Sequence, residues 1–579
     1  MKLKRSIAAL LLAVLLTSAV SCSPHTDIPD DSTQTNETTA ENESTDNIAE
    51  KELTLYDGAD NIFRIVTATS PTDSERSFAE ELAAKARSVF KVKPETVTDK
   101  HADESYSCEV VVGYTSLAGS DEAFSSMSYG QACIRVIGNR IFAVAFSEDG
   151  YGELMLHIQK LIGNNKKDGS LVLKSSQLEY TVSLEPYLIY VPTVGGCGLP
   201  TTVDCGINQT FFLYENASAE AFDNYVSKVG SEKIVSTSTV GGNKFATFDI
   251  SSGILNVSFT KSDNSLRIIY EGNRRPTELF APVDEVKAVC EPQIIMRGMS
   301  WRDENNENKK NGLCIIIRLS DGRFIIVDGG WDRQRDADDL YKLLKDNTPE
   351  GMKITVAAWI ITHAHEDHHS VFAFDFPSTY KNLVAVENVI FNPPAEGFYT
   401  GTNISGHAGN EREVLAGIHQ FNASLVRPHV GDRYFIGDAV IDVIYTIDMH
   451  YPEQFDYYNT CSLMLSISIA GEKIMITGDA SNVAFGIAVR VFGRELKSDI
   501  VQVAHHGYGT GVAADKSTDI ARGYTLMAPS LLLWPSSQSG YQSGLKSVYN
   551  ITLIRLPTIK RIIVAGEKDH VIHLPYDQE

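Results

Sequence analysis

Four short apolar runs in the carboxyl-terminal half of this chain each end in a side chain able to bind a metal ion, and this recurrence limits the fold more than any other feature. Phe324-Ile325-Ile326-Val327 runs into Asp328-Gly329-Gly330. The run Ile354–Ile361 feeds Thr362-His363-Ala364-His365-Glu366-Asp367-His368, four potential ligands within six residues. Lys473-Ile474-Met475-Ile476 delivers Thr477-Gly478-Asp479, and Asp499–Ala504 delivers His505-His506-Gly507. Runs this short and this apolar are buried strands, and ligands at several strand ends require a sheet architecture that gathers those ends at one place. Imidazole and carboxylate are the donors zinc prefers, and the histidine spacing is not the H-E-x-x-H of a one-zinc peptidase helix.

The chain has 579 residues and is 43% hydrophobic, enough for several packed cores. Its net charge of −23 argues against a general nucleic-acid binder, since such binding is carried by Lys and Arg neutralising phosphates. It leaves open a phosphate ester that meets metal ions, whose charge dominates locally. Lys2, Lys4 and Arg5 precede an apolar stretch from Ile7 to Leu16 and then Ala19-Val20-Ser21-Cys22, which resembles a bacterial lipoprotein signal. That resemblance implies removal of residues 1–21, lipidation at Cys22 and an exported protein anchored to the outer face of the bacterial cytoplasmic membrane. The alternative is a plain secretory signal, which would leave the protein secreted or periplasmic. The composition of residues 22–52, crowded with Thr, Ser, Asn, Asp and Glu, is that expected of a disordered linker. Of the seven remaining cysteines, Cys197 and Cys205 either pair around a Gly-rich loop or stand as isolated thiols.

Residues 53–180 alternate strand and helix patterns and predict a small α/β domain: strand Phe63–Val66, a helix with Phe78, Leu82, Ala86 and Val89 on one face, strand Glu109–Gly113, and a helix from Gly150 through Ile162. It is faintly similar to non-catalytic α/β domains that precede bacterial carbohydrate-active enzymes. Residues 181–289 predict an α+β unit with strands Thr210–Tyr214, Lys244–Ile250, Ile254–Phe259 and Leu266–Tyr270 and a helix Ser218–Lys228; a spacer or docking role is expected of it. Residues 290–579 hold all four strand-end motifs.

Taken together, Val327-Asp328-Gly329-Gly330, Thr362 to His368, Thr477-Gly478-Asp479 and Ala504-His505-His506-Gly507 resemble the motif series of metallo-β-lactamase-fold hydrolases. With Asn459-Thr460-Cys461-Ser462-Leu463 ahead of the Thr-Gly-Asp strand, they are most similar to the branch containing the hydrolase domain of bacterial DNA-uptake competence channels. The resemblance implies a four-layer αββα sandwich after the two smaller domains. It implies two Zn(2+) ions, or other divalent ions such as Mn(2+): His363 and His365 on the first, Asp367, His368 and His505 on the second, Asp479 bridging. Asp328 is expected behind them, orienting a ligand histidine. Of the 505–506 pair, His505 is the expected ligand, leaving His506 or Tyr508 to protonate or orient a leaving group. For the family's further histidine, His450 is the favoured candidate among His407, His419, His429 and His450, and a water or carboxylate is the alternative. His369 and Glu366 are expected at a helix start or on the surface, and Ser370 at a helix N-terminus.

A hydroxide bridging two zinc ions at neutral pH is the expected nucleophile, and Asp367 helps to hold it. The expected activity is phosphoester or phosphodiester hydrolysis at the cell surface, on a small molecule or a cell-envelope polymer. A lactonase or amidase using the same ions is the alternative enzyme, and a non-catalytic surface-binding lipoprotein the alternative outside enzymes. Gly/Ser-rich segments 396–411 and 506–541 are expected as loops covering the site.

Overall fold

The Ile-rich runs alternate their side chains between two environments, and this alternation builds the carboxyl-terminal half. In Cys314–Arg318 and Phe324–Asp328, Ile315, Ile317, Ile325 and Val327 face one apolar core, while Cys314, Ile316, Phe324 and Ile326 face another. Both faces are buried, so these strands read as continuous apolar runs. The computed structural model describes residues 50–579 except 60, 104, 166–168, 207, 273–276, 299–300, 303–307, 310–311, 332–333, 509–517 and 577–579. The leader, Cys22 and most of the linker lie outside the described residues.

Two sheets make the sandwich. One has eight strands, in the order Ser424–Val426, Asn388–Ile390, Ile354–Ile360, Phe324–Asp328, Cys314–Arg318, Gln293–Met296, His570–His573, with Val384–Val386 beside Ile354–Ile360. The other has seven, in the order Arg433–Ile436, Ala439–Tyr445, Met464–Ile469, Glu472–Ile476, Ile500–Gln502, Leu531–Trp534, Arg561–Val564. Ile315, Val327 and Ile360 of the first meet Ile441, Leu465 and Ile476 of the second in one shared core. Outside the first sheet, Leu340, Phe376 and Ile418 from helices pack on Ile326 and Trp359. Outside the second, Phe485, Tyr524 and Leu553 pack on Met475, Val501 and Trp534. The layers are therefore helix, sheet, sheet, helix, the αββα arrangement expected.

Ahead of the sandwich lie two further sheets. The first has six strands in the order Thr96–Thr98, Arg64–Thr67, Glu109–Val112, Arg140–Val144, Gln131–Ile137, Tyr180–Ser183, the first four parallel. Its helices Asp73–Phe90 and Glu148–Asn165 bury Phe78, Leu82, Leu154 and Ile158 against it, and Thr72 with Glu75 forms a reciprocal capping box at the first helix start. The second is a six-stranded antiparallel sheet in the order Ile234–Val240, Asn243–Ile250, Gly253–Thr260, Ser265–Glu271, Gln209–Tyr214, Thr201–Asp204.

This antiparallel sheet is more than a spacer. Strand Gln209–Tyr214 sends Phe212 and Tyr214 to its own helix Ala219–Val229, and Phe211 and Leu213 into the helix-side core of the eight-stranded sheet. Buried polar contacts add to that interface. Thr247 Oγ1 donates to Asp432 Oδ1 at 2.7 Å, Asn243 Nδ2 to the Val491 carbonyl at 2.7 Å, and Arg427 Nη1 to Gln209 Oε1 at 2.8 Å. Residues Lys51–Glu579 accordingly form one compact unit. Cys197 and Cys205 are separate free thiols, so the pairing alternative does not hold. Among the described residues no helix is long and apolar enough to cross a membrane.

Candidate metal centre

Two strand ends from each sheet converge at one edge of the sandwich. Phe324–Asp328 and Ile354–Ile360 are parallel neighbours in the first sheet, and Glu472–Ile476 and Ile500–Gln502 are parallel neighbours in the second. Parallel neighbours place their carboxyl ends side by side, so Asp328, the His363 segment, Asp479 and the His505 segment arrive together. The Gly478 turn allows close approach: its φ is +50°, and a Cβ there would lie 2.9 Å from Thr362 Cβ. Gln502 ties the second pair of ends, accepting from Thr477 N at 2.8 Å and donating to the Gly478 carbonyl at 3.0 Å.

The donors fall into two groups around Asp479. On one side, Asp479 Oδ1 lies 3.3 Å from His368 Nε2 and 3.6 Å from His506 Nε2, and His506 Nε2 lies 3.1 Å from Asp367 Oδ2. On the other side, Asp479 Oδ2 lies 4.0 Å from His363 Nε2 and 3.8 Å from His505 Nε2. His365 Nδ1 is 2.9 Å from His363 Nε2. Two nitrogens on one tetrahedral zinc stand about 3.3 Å apart, so these separations are those of donors around small ions. His363, His368 and Asp479 offer donor atoms within 4.8 Å of one another, as do Asp367, His368 and His506, so the two groups adjoin at His368 and Asp479.

Tautomers are set from behind. His368 Nδ1 lies 2.7 Å from Asp328 Oδ2, and His506 Nδ1 lies 2.9 Å from the Pro535 carbonyl, so the proton sits on Nδ1 and the Nε2 lone pair faces the centre. Asp328 also accepts from Thr362 N and Thr362 Oγ1, both at 2.8 Å. It stands at φ +55° and is fully buried.

A test of fit comes from atoms that protein alone does not satisfy. Among the described residues, His368 Nε2, His506 Nε2 and Asp479 Oδ1 are buried without a hydrogen-bond partner. Orphaned polar atoms of this kind are costly, and a shared cation satisfies all three. The electrostatics agree. Burial opposes the charge on Asp479, yet His368, His506 and His505 outweigh it and hold the carboxyl well below its ordinary range. Asp367 is lowered in the same way by His368 and His506 against the cost of burial. Burial works against the proton on His368 and His506, but Asp479, with Asp328 and Asp367 for His368 and Asp367 for His506, raises both. His363 is driven well down by burial, and burial takes His365 down to about 4. A neutral pair beside Asp479 is ready to ligate, and the paired carboxylates on the other side call for positive charge.

The structure reorders several sequence expectations. His506, expected to serve a leaving group, sits with Asp367 and His368, while His505 lies on the His363 side, so the expected assignment within this pair is reversed. His505, His506 and Gly507 all have positive φ, and so sharp a turn sends the two neighbouring rings to different oxygens of Asp479. His450 is not brought to the donors; it faces the Gln454 carbonyl at 3.4 Å and the ring of Phe455. His407 is the histidine that approaches, with its ring 5.1 Å from that of His365. His429 is instead buried against Asp448 at 2.6 Å, next to the antiparallel sheet. Tyr508 directs its hydroxyl towards Gly540, where an added Cβ would stand 2.8 Å from it.

His369 is neither surface nor helix start: it is buried, with Nδ1 2.9 Å from the His365 carbonyl and Nε2 3.3 Å from Glu413. Ser370 ends the short helix Glu366–Ser370 and leads, in helical backbone geometry and without a side-chain cap, straight into the helical stretch Val371–Asp375. Segment 396–411 is a loop only to Asn403. From there the helix Ile404–Phe421 begins, despite Gly406 and Gly409, and Asn410 Nδ2 donates to the Ala364 carbonyl at 2.9 Å. Segment 506–541 likewise contains the helix Thr518–Met527 and the strand Leu531–Trp534.

Sequence reasoning missed the loop wall at Tyr457 and Tyr458. Tyr458 stacks on His407 at 4.0 Å and lies 5.1 Å from His365, and burial followed by the nearby Asp479 charge raises the Tyr457 hydroxyl. Tyr-Tyr ahead of Asn459-Thr460-Cys461 carried no ligand signature that would have singled it out.

No family model matches the chain, and no curated protein matches it. Solved structures do. CmlA, a diiron beta-hydroxylase from Streptomyces venezuelae, matches at 12% identity over 71% of this chain and 74% of that one, with a TM-score of 0.30. In a mutant of CmlA the match spans 50% of this chain and 55% of the other, about half its length. The metallo-beta-lactamase fold protein YhfI from Bacillus subtilis matches at 11% identity over 48% of this chain and 99% of its own, with a TM-score of 0.30. The metallo-beta-lactamase FIM-1 from Pseudomonas aeruginosa matches at 12% identity over 47% of this chain and 97% of its own, with a TM-score of 0.23. TM-scores below 0.5 carry no argument about the site, and the metal centre stands on the donor atoms of this chain.

Proposed function

We propose that this chain is a dinuclear metal-dependent hydrolase of the metallo-β-lactamase fold that cleaves phosphodiesters outside the cytoplasm. The observation that carries the reading is Asp479, one carboxylate with Oδ1 towards His368 and His506 and Oδ2 towards His363 and His505. His363, His365 and Asp479 would hold one ion, with His505 beside them; Asp367, His368, His506 and Asp479 would hold the other. Zinc suits these nitrogen and carboxylate donors. Two such ions supply a hydroxide at neutral pH and neutralise charge that develops on an ester oxygen.

The remaining chemistry belongs to the protein. Asp328 and the Pro535 carbonyl keep His368 and His506 in one tautomer, so neither ligand has to reorient during turnover. Asn410 and His369 hold the carbonyls of Ala364 and His365 and so fix the ligand loop. The candidate for the leaving-group proton, in place of Tyr508, is the Tyr457 hydroxyl, which accepts from Asn459 Nδ2 at 3.1 Å and whose proton burial and the nearby Asp479 charge retain.

The choice of phosphodiesters rests on the likeness of the four strand-end motifs to the competence-channel branch. Surface anchoring rests on the basic, apolar and Cys22 pattern of the leader. The test is a comparison of bis(4-nitrophenyl) phosphate with a chromogenic lactone, each with and without chelator. Chelator-sensitive cleavage of the diester alone supports the proposal. Cleavage of the lactone alone replaces it with a carboxyl hydrolase, and two bound ions without hydrolysis of either replaces it with a binding protein. Metabolic labelling with palmitate, lost in Cys22→Ser, tests the anchor.

A further inference from the structure

A cavity of about 280 Å³ lies against the His365 side of the metal centre, lined among others by Pro394, Tyr399, His407, Glu411, Arg412 and Tyr458. His407 and Tyr458 form the wall between it and the centre, and the His365 ring lies 5.1 Å from both of their rings. Building on the hydrolase reading above, we propose that this cavity is the subsite for a neutral polyhydroxylated group, a sugar or polyol, carried by the ester that is cleaved.

The argument runs through what each wall offers. His407 and Tyr458 stack on each other at 4.0 Å and 8°, and Tyr399 meets both edge-on at 5.1 and 5.3 Å. Their faces are already in use, which leaves no slot for a nucleobase to stack between rings; edges and heteroatoms remain. Among the described residues, His407 Nδ1 is buried with no hydrogen-bond partner. Glu411 accepts the Tyr458 hydroxyl at Oε1, 2.7 Å away, and its second oxygen forms no hydrogen bond among the described residues. Arg412 forms no hydrogen bond or ion pair among the described residues and supplies donors at the mouth.

A carboxyl oxygen, an imidazole nitrogen and a guanidinium around one small cavity match the alternating donors and acceptors of neighbouring hydroxyls. With Arg412 set against Glu396 and the Glu411 carboxyl pushed towards neutrality by burial, the lining carries little net charge and favours neither a cationic amine nor an anion. Burial pushes the Glu411 carboxyl up to about 7, so near neutrality it both accepts and donates, as hydroxyl recognition requires.

Saturation-transfer NMR on the full chain tests this with four probes: methyl α-glucoside, glycerol, choline and thymidine. The glucoside or glycerol should receive saturation. The effect should vanish in Ala408→Leu, which fills the cavity, and affinity should fall roughly tenfold in Glu411→Gln, the loss of one hydrogen bond to a carboxyl. Far-ultraviolet circular dichroism checks that both variants fold, and Arg412→Ala, at an exposed position, gives an independent variant with the same direction of effect. Sugar binding should persist in Asp479→Asn, where hydrolysis is lost, so failure of the subsite and failure of the catalytic reading are told apart. Transfer to choline or thymidine alone, transfer to none of the four, or sugar binding that survives Ala408→Leu would overturn the proposal.

Discussion

Asp328 Oδ2 stands 2.7 Å from His368 Nδ1, and the same carboxylate accepts the Thr362 amide, so one buried side chain orients a ligand and fixes the strand end that carries the others. The Asp328 carboxylate is fully buried, and its partners compensate for that burial.

From this pairing comes the first prediction. Asp328→Asn keeps the shape but loses the acceptor that holds the His368 proton on Nδ1. Metal affinity should drop about 10- to 100-fold, measured by competition with a chromophoric chelator, while the ligand atoms themselves are untouched.

His505 and His506 differ in what they face. His506→Ala should cost the ion shared with Asp367 and His368 and reduce metal content to about one per chain. His505→Ala should leave that ion in place. Elemental analysis of the two variants reads the difference, and equal losses would contradict the assignment.

Part of this centre was legible before any coordinates. The spacing of His363, His365, Asp367 and His368 after an apolar run, and Asp479 after another, marks ligands because strand ends aim side chains into a shared space. The αββα layering followed from the motif resemblance, and apolar runs buried on both faces agree with it. What escaped has physical causes. That His506 would stand beside Asp367 and His368 had no local signal, because three successive positive-φ residues turn the chain there. The first two turns of the helix Ile404–Phe421, up to residue 411, were read as a loop because Gly406 and Gly409 weaken helix propensity, which packing of Val414 and Ile418 overrides. Tyr458 and Glu411 meet across 47 residues of sequence, a distance at which no local pattern speaks.

In the amino-terminal α/β sheet, Glu109 lies between Arg64 and Arg140, with Arg140 Nε at 2.8 Å from Oε2 and Arg64 Nε at 3.1 Å from Oε1. Burial opposes the charge on Glu109, but the two guanidiniums hold its carboxyl below the ordinary range. Glu109→Gln removes the buried carboxylate that the two guanidiniums share, Arg64 keeping Glu95 at 4.0 Å, and should cost about 3 kcal/mol at pH 7 by urea unfolding. Because the folded value is depressed, the stabilisation is present above the unfolded value of about 4.3 and fades as pH falls through the folded one. The gap between wild type and variant should therefore narrow towards pH 3.

Asp432 joins the antiparallel sheet to the sandwich, accepting from Thr247 and Asn256 on one side and from Tyr434 and the His429 amide on the other. Asp432→Ala should destabilise by about 3 kcal/mol or more, since several buried donors lose one acceptor. Hydrogen exchange should rise together in strands Asn243–Ile250 and Arg433–Ile436. A rise confined to one of them would mean that the sheet is only a spacer.

The central claim is that Asp479 bridges two ions, and metal stoichiometry by elemental analysis of the purified chain tests it most directly. The account predicts about two divalent ions per chain, lost together with activity in Asp479→Asn. Full occupancy in a His363→Ala, His365→Ala double variant would contradict it.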